Sequence, residues 1–286
     1  EKRDWPLNQI SRFCYVKPYY WHIQDTKDVE KPVLLLIHGT GASTHSWHQL
    51  IPLLQESFRV IALDLPGHGF TNSKDHNRSN LNFMADDIIS LLSNQRLRPK
   101  IIIGHSAGAA LAFRLALDIK RNITGVVAIN GVLDNYFSGL SSIFYPIAAK
   151  ALAINPLFAP FLAKLNKVTN QTQRLNKITG SKIPDETLRY YGKLVSDPKH
   201  LAGTLAMMSQ WKLETLNNDM PKFKKKSLFL IGQKDAMVEE KYLIAYARKL
   251  QKSEIIIEKS LGHLMHEENP NKIFEHITSF YNRVKK

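Results

Sequence analysis

Cysteine is almost missing from this chain: Cys14 stands alone among 286 residues. An internal disulfide is therefore excluded, which suits a reducing compartment, and Cys14 reads as a small packed side chain. The Cys/His spacing of a zinc site is absent as well, so no metal is expected. No apolar run approaches the ~20 residues needed to span a bilayer, and no leading stretch has the pattern of a secretory signal. Together these absences set the expectation of a cytoplasmic protein, soluble or peripheral to the inner membrane. Internal repeats and low-complexity segments are missing too. Acidic residues are few: 25 against 39 lysines and arginines, a net charge of +14. Such an excess raises nucleic-acid binding as a reading, but the lysines are scattered and no recognition motif accompanies them. The densest group, Lys222, Lys224, Lys225 and Lys226, directly precedes a predicted strand and reads as a solvated turn. No nucleic-acid partner is expected. An anionic substrate, an acidic partner or an anionic membrane surface accounts for the charge at least as well.

What is present is the material of a substantial core. Hydrophobic residues make up 44% of the chain, and its length allows one large α/β domain or two small ones. Apolar runs alternate with helical periodicity, the pattern of a mostly parallel sheet covered by helices. Strands are predicted over 13–16 and 20–23, an antiparallel leading pair, and over 33–37, 59–63, 101–103, 125–129, 227–231 and 254–257. Helices are predicted over 46–55, 83–92, 109–117, 239–250 and 273–284. From about 135 to 220 this rhythm breaks. The stretches 143–154, 157–165 and 201–211 look helical and apolar, with no strand between them. The chain thus divides into a core, 1–134 with 221–286, and an inserted helical cap, 135–220, which carries a net charge of +5.

The sequence Gly104-His105-Ser106-Ala107-Gly108 joins a predicted strand to a predicted helix. G-x-S-x-G in that context is the nucleophile-elbow signature. A turn from strand to helix within a few residues strains the backbone at the serine, and the flanking glycines remove Cβ clashes. The hydroxyl then stands above the sheet at the N-terminal end of a helix, where partial positive charge favours a developing oxyanion. A serine needs a general base held by an oriented acid. Downstream, the strand over 227–231 ends in Gly232-Gln233-Lys234-Asp235, and the last strand leads to Ser260-Leu261-Gly262-His263. Both side chains fall at strand C-terminal ends, the ligand-binding edge of such a sheet. Ser106, Asp235 and His263 are the expected triad, with Asp134 as the alternative acid. The oxyanion hole is expected from the backbone amides of Ala107 and of Thr40, in the loop His38-Gly39-Thr40-Gly41. His266 is expected at the surface or behind the triad, and the loop histidines His45, His48 and His68 at a solvated rim. His105 precedes the nucleophile and is expected to point back into the structure.

On these residues the chain resembles the α/β-hydrolase superfamily. Within it, the chain is similar to the magnesium-chelatase accessory hydrolases of bacteriochlorophyll biosynthesis. That narrower resemblance rests on Asp4-Trp5-Pro6, on the segments 38–47, 64–71 and 104–110, on Ala206-Met207-Met208-Ser209-Gln210-Trp211, and on Gly262-His263-Leu264-Met265-His266-Glu267-Glu268. The cap motif at 206–211 is its most specific piece. It implies an α/β-hydrolase fold: a mostly parallel eight-stranded sheet, helices on both faces and an inserted helical cap. It also implies a serine hydrolase working without a cofactor on an ester-like bond of a largely apolar, tetrapyrrole-like substrate, in association with magnesium chelatase. His38, Trp47, His105, Met207, Met208 and Trp211 are the candidate substrate contacts. Phe144, Tyr145, Phe158 and Phe161 either line the same pocket or form the cap's own core. Two other readings stay open: a non-catalytic tetrapyrrole-binding accessory protein that retains the triad, and docking to an anionic membrane through the apolar stretch 140–165.

Overall fold

Eight strands form one sheet in the order β1-β2-β4-β3-β5-β6-β7-β8. The computed structural model describes residues 4–73, 76–134, 159–161, 163–164 and 172–285. The strands β1 (Ser11–Val16) and β2 (Tyr19–Asp25) make an antiparallel hairpin at one edge, and β2 pairs antiparallel with β4 (Arg59–Leu63). From there the sheet is parallel through β3 (Val33–Ile37), β5 (Pro99–His105), β6 (Gly125–Ile129), β7 (Lys226–Gly232) and β8 (Ser253–Glu258). The predicted eight-stranded, mostly parallel sheet is what forms. The chain steps outward from β3 to β4, then returns past β3 to β5. That reversal opens a crevice beyond the carboxyl ends of β3 and β5, where His38–Thr40 and Ser106 follow their strands.

The helices are α1 (Ile51–Leu54), α2 (Leu81–Asn94), α3 (Ala107–Asp118), α4 (Thr172–Thr179), α5 (Asp185–Val195), α6 (Pro198–Gln210), α7 (Glu214–Asp219), α8 (Glu240–Arg248), α9 (Met265–Glu268) and α10 (Pro270–Val284). Leu35, Ile37, Ile61, Ile102 and Val126 pack on one face of the sheet with Met84 and Ile88 of α2, Leu111 and Leu115 of α3, and Leu243 of α8. Leu34, Leu36, Val60, Ile101, Ile103 and Val127 pack on the other with Leu54 of α1 and Ile273, Ile277 and Phe280 of α10. Both faces are covered, which is why the central strands read as continuous apolar runs. Each such side chain contributes roughly 1.5–3 kcal/mol by leaving water.

The single helix predicted over 46–55 is broken. Thr44–Trp47 is a 3-10 turn whose His45 amide donates to the Ser43 hydroxyl, and α1 restarts at Ile51. Pro52, which lacks an N–H, fits the first turn of a new helix but not the interior of a continuous one. At α2 the Asn80 side chain accepts from the Phe83 amide and caps the helix, which starts at Leu81, two residues before the predicted 83. The predicted helix over 201–211 is α6. The helix predicted over 143–154, the residues Phe144, Tyr145 and Phe158, and most of the stretch 140–165 lie outside the described residues. Of that region, 159–161 and 163–164 are helical, with Phe161 exposed. No helix among the described residues is long and apolar enough to cross a membrane.

Candidate active site

Ser106 joins β5 to α3 with φ +52° and ψ −121°. A non-glycine residue there is strained by about 1–3 kcal/mol and persists only where its surroundings fix it. Those surroundings are very close. A Cβ on Gly104 would overlap the Gly108 carbonyl, and one on Gly108 would overlap the Ile37 carbonyl. The two glycines of the motif thus let the helix start press directly on β5 and β3. The Ser106 amide donates to the Ile129 carbonyl at 3.0 Å, and the Ser106 carbonyl accepts from the Val132 amide at 3.0 Å. Ser106 is 9% exposed. Ala107 is the first residue of α3, so its amide has no intrahelical acceptor.

The acid and base are joined across the loops after β7 and β8. His263 Nδ1 lies 2.7 Å from Asp235 Oδ2, with both side chains almost fully buried. Asp235 Oδ1 accepts from the amides of Met237 at 2.7 Å and Val238 at 2.9 Å. The carboxylate is held on both oxygens. A carboxylate at Nδ1 selects the Nδ1–H tautomer and leaves Nε2 as the basic nitrogen. Asp134, the alternative acid, lines a separate recess with Met237, Val238, Tyr242 and Tyr246.

The loop after β3 lies against the nucleophile: a Cβ on Gly39 would come within 2.9 Å of Ser106 Cβ. His38 sets the loop's path. Its Nε2 accepts from the Leu65 amide at 3.0 Å, so Nδ1 carries the proton and donates to the Gly39 carbonyl at 2.7 Å. Burial and the neighbouring His68 lower its pKa to about 4, so the ring is neutral. Thr40 donates its hydroxyl to the Met207 sulfur at 3.7 Å, which ties this loop to α6. His200 of α6 adds a second tie: its Nδ1 accepts from the Gly69 amide at 3.0 Å and its Nε2 donates to the Gly41 carbonyl at 3.1 Å. At a third point Gly203 meets the Gly67 backbone so closely that a Cβ there would overlap the Gly67 carbonyl.

Among the candidate substrate contacts, Met207 is fully buried beside Thr40. Met208 is half-buried, and Trp211 is half-buried against the core layer over α2 and α3. A cleft of about 950 Å³ flanks the same helix, lined by Leu81, Phe83, Ala202, Ala206 and Gln210 among others. Trp47 is fully buried in the opposite core layer, its ring 4.5 Å from that of His266. His105 turns inward, donating from Nε2 to the His263 carbonyl at 2.9 Å, with its ring 4.7 Å from the His263 ring. No group of three or more His, Cys, Asp or Glu among the described residues is arranged to hold a metal ion.

Several histidines expected at a solvated rim are buried instead. His45 and His68 have no exposed surface, and neither has His266, which was expected at the surface or behind the triad. His266 Nε2 donates to the Ser46 hydroxyl at 2.7 Å, Ser46 donates to Glu267 Oε1 at 2.5 Å, and Tyr191 of α5 donates to the same oxygen at 2.7 Å. Burial pushes the Glu267 carboxyl up to about 8, against the opposing pull of the Ser46 and Tyr191 hydrogen bonds. A second buried hub was not anticipated at all. Asp64 accepts from His22 Nδ1 and from the amides of Thr44 and Phe70, at 2.7, 2.7 and 2.8 Å. Burial opposes its ionisation, yet His22, His38 and the Phe70 amide hold its pKa well below the usual carboxylate range. Asn130, fully buried, was also missed. Its one sequence signal is a polar residue directly after the apolar strand β6.

Residues 32–270 match the family model for the alpha/beta hydrolase fold. The chain belongs to the α/β-hydrolase family. Among its relatives, the Magnesium-chelatase 30 kDa subunit of Rhodobacter capsulatus is 37% identical over 264 residues, covering 92% of each chain. The Uncharacterized hydrolase YugF of Bacillus subtilis is 25% identical, covering 96% of this chain and 98% of its own length. Among solved structures, a putative lipase from Acinetobacter baumannii superposes with a TM-score of 0.80 at 19% identity, covering 96% of this chain and 91% of the other. That last similarity speaks to the α/β-hydrolase fold alone.

Proposed function

We propose that this α/β-hydrolase is a serine hydrolase that cleaves an ester-like bond of a largely apolar substrate. Ser106 attacks the carbonyl, and its proton passes to Nε2 of His263. Asp235 holds the imidazole tautomer and stabilises the imidazolium that forms. The amides of Thr40 and Ala107 stabilise the oxyanion. Collapse of the tetrahedral intermediate expels the alcohol, which takes the proton back from His263, and water then releases the acyl group by the same steps. The observation that carries this reading is the 2.7 Å His263–Asp235 pair at the sheet edge where Ser106 holds a strained backbone. The segment 135–220, whose described part is mainly helical, acts as the cap. Met207, Met208 and Trp211 contact the substrate, and the cleft of about 950 Å³ that flanks the same helix is on the scale of small-molecule sites. A fluorophosphonate probe is expected to label wild type and to leave Ser106→Ala unlabelled. Equal labelling of both refutes the assignment.

The similarity to a protein named as a magnesium-chelatase subunit favours a setting in tetrapyrrole and bacteriochlorophyll biosynthesis, in association with the chelatase. It also favours a second reading, an accessory protein that binds a tetrapyrrole and keeps the triad without using it. The two separate in cells. A Ser106→Ala variant at normal abundance that abolishes pigment synthesis supports catalysis, whereas full synthesis supports the accessory role.

A further inference from the structure

Asn130 directly follows β6, is fully buried, and has a left-handed backbone with φ +43°. Its side chain makes three hydrogen bonds. Oδ1 accepts from the Gly232 amide at 2.7 Å, while Nδ2 donates to the Gly262 carbonyl at 2.8 Å and the His263 carbonyl at 3.0 Å. An N–H on one side and two carbonyls on the other leave a single orientation for the amide. The loops it joins carry the acid and the base. On the acid side, the Gly232 carbonyl accepts from the Asp235 amide at 3.1 Å. On the base side, the bonded carbonyl belongs to His263 itself. The neighbouring backbone reaches the nucleophile, since Ile129 and Val132 bond the amide and carbonyl of Ser106. One turn after β6 therefore touches all three loops.

We propose that Asn130 is a positioning residue that fixes Asp235 and His263 relative to one another and to Ser106. The proposal rests on the serine-hydrolase reading for its kinetic consequence, though not for its geometry. Removing the amide strands the buried Gly232 N–H and Gly262 carbonyl. It leaves the His263 carbonyl to His105 alone. The two loops then relax independently, and a misplacement of roughly 1 Å at a reacting group costs on the order of 100-fold in rate.

Two variants test it. Asn130→Gly tolerates the left-handed backbone and deletes the amide. Asn130→Asp keeps the shape and the acceptor but sets a carboxyl oxygen against two carbonyls. In each, the fluorophosphonate labelling rate is expected to fall about 10- to 100-fold, with KM for a short ester nearly unchanged. The downfield proton resonance of the His263–Asp235 hydrogen bond should broaden or vanish. Because Asn130 acts through that pair, Asn130→Gly placed on Asp235→Ala should lower the rate little further. Wild-type rates in folded variants overturn the proposal, and so does a full multiplicative loss on the Asp235→Ala background. If wild type is not labelled at all, the hydrolase reading fails and the resonance alone decides. Its loss in the variants upholds the positioning role, and its persistence refutes it. Should Asn130→Gly not fold, the near-isosteric Asn130→Asp carries the same readouts.

Discussion

Replacing Glu267 by Gln gives a sharp test of how the buried polar groups set stability. Glu267 is 1% exposed, its Oε1 takes two hydroxyl hydrogen bonds, and its Oε2 is buried without a partner. Its pKa is raised from 4.5 to about 8, mainly by burial. The folded protein therefore keeps a proton that the unfolded chain releases. Stability contributed by the neutral acid is fully present below pH 4.5 and is lost as pH rises through about 8. Over the whole window that loss is about 5 kcal/mol. Between about pH 6.5 and pH 9 it is about 2 kcal/mol, flattening once the folded group ionises. Glutamine mimics the neutral acid and has nothing to titrate. Urea unfolding at a series of pH values should show the stability of Glu267→Gln gaining about 2 kcal/mol on wild type across that interval. Taking the difference between the two proteins cancels every other titrating group. Parallel profiles would refute the assignment of a neutral Glu267.

Further outcomes follow from other sites. Ser106→Gly relieves the φ +52° strain and should stabilise the fold by about 1 kcal/mol while abolishing fluorophosphonate labelling; a lower melting temperature argues against stored strain. Gly203→Ala drives a Cβ into the Gly67 carbonyl and should destabilise by about 1–3 kcal/mol or more, read by urea unfolding. Unchanged stability means α6 is free to move away from the core. Burial lowers His38 and His200 to about 4 and His68 and His266 to about 3. Their stabilisation is present above 6.5 and lost as pH falls toward these values, so acid unfolding should begin near pH 6. His200→Gln should make that acid limb shallower by about one proton, and an unaltered slope would contradict a neutral His200 in the fold.

The sheet was legible because its strands are buried on both faces, and 125–129 and 33–37 are runs no exposed segment would carry. The ends of β5, β7 and β8 pointed to Ser106, Asp235 and His263 as candidates, since in a parallel sheet the strand ends share one edge. The broken helix at 46–55 was not foreseen, although Pro52 signals it. Less visible was the fate of polar residues near the site. His266 lies three positions from His263, which gave no hint that its partner is Ser46, 220 residues away. Asp64 and His22 sit in segments with unremarkable polarity, and their pairing needs β2 laid beside β4.

By itself, then, the sequence determined the α/β layering and the strand order along the chain, and it singled out Ser106, Asp235 and His263 as the candidate triad. These follow from periodicity and turn chemistry, which act over a few residues. The tertiary structure alone decided which histidines are buried and neutral, and that Asn130 joins the acid and base loops. Those outcomes depend on desolvation and on hydrogen bonds between residues a hundred or more positions apart. No local pattern encodes them.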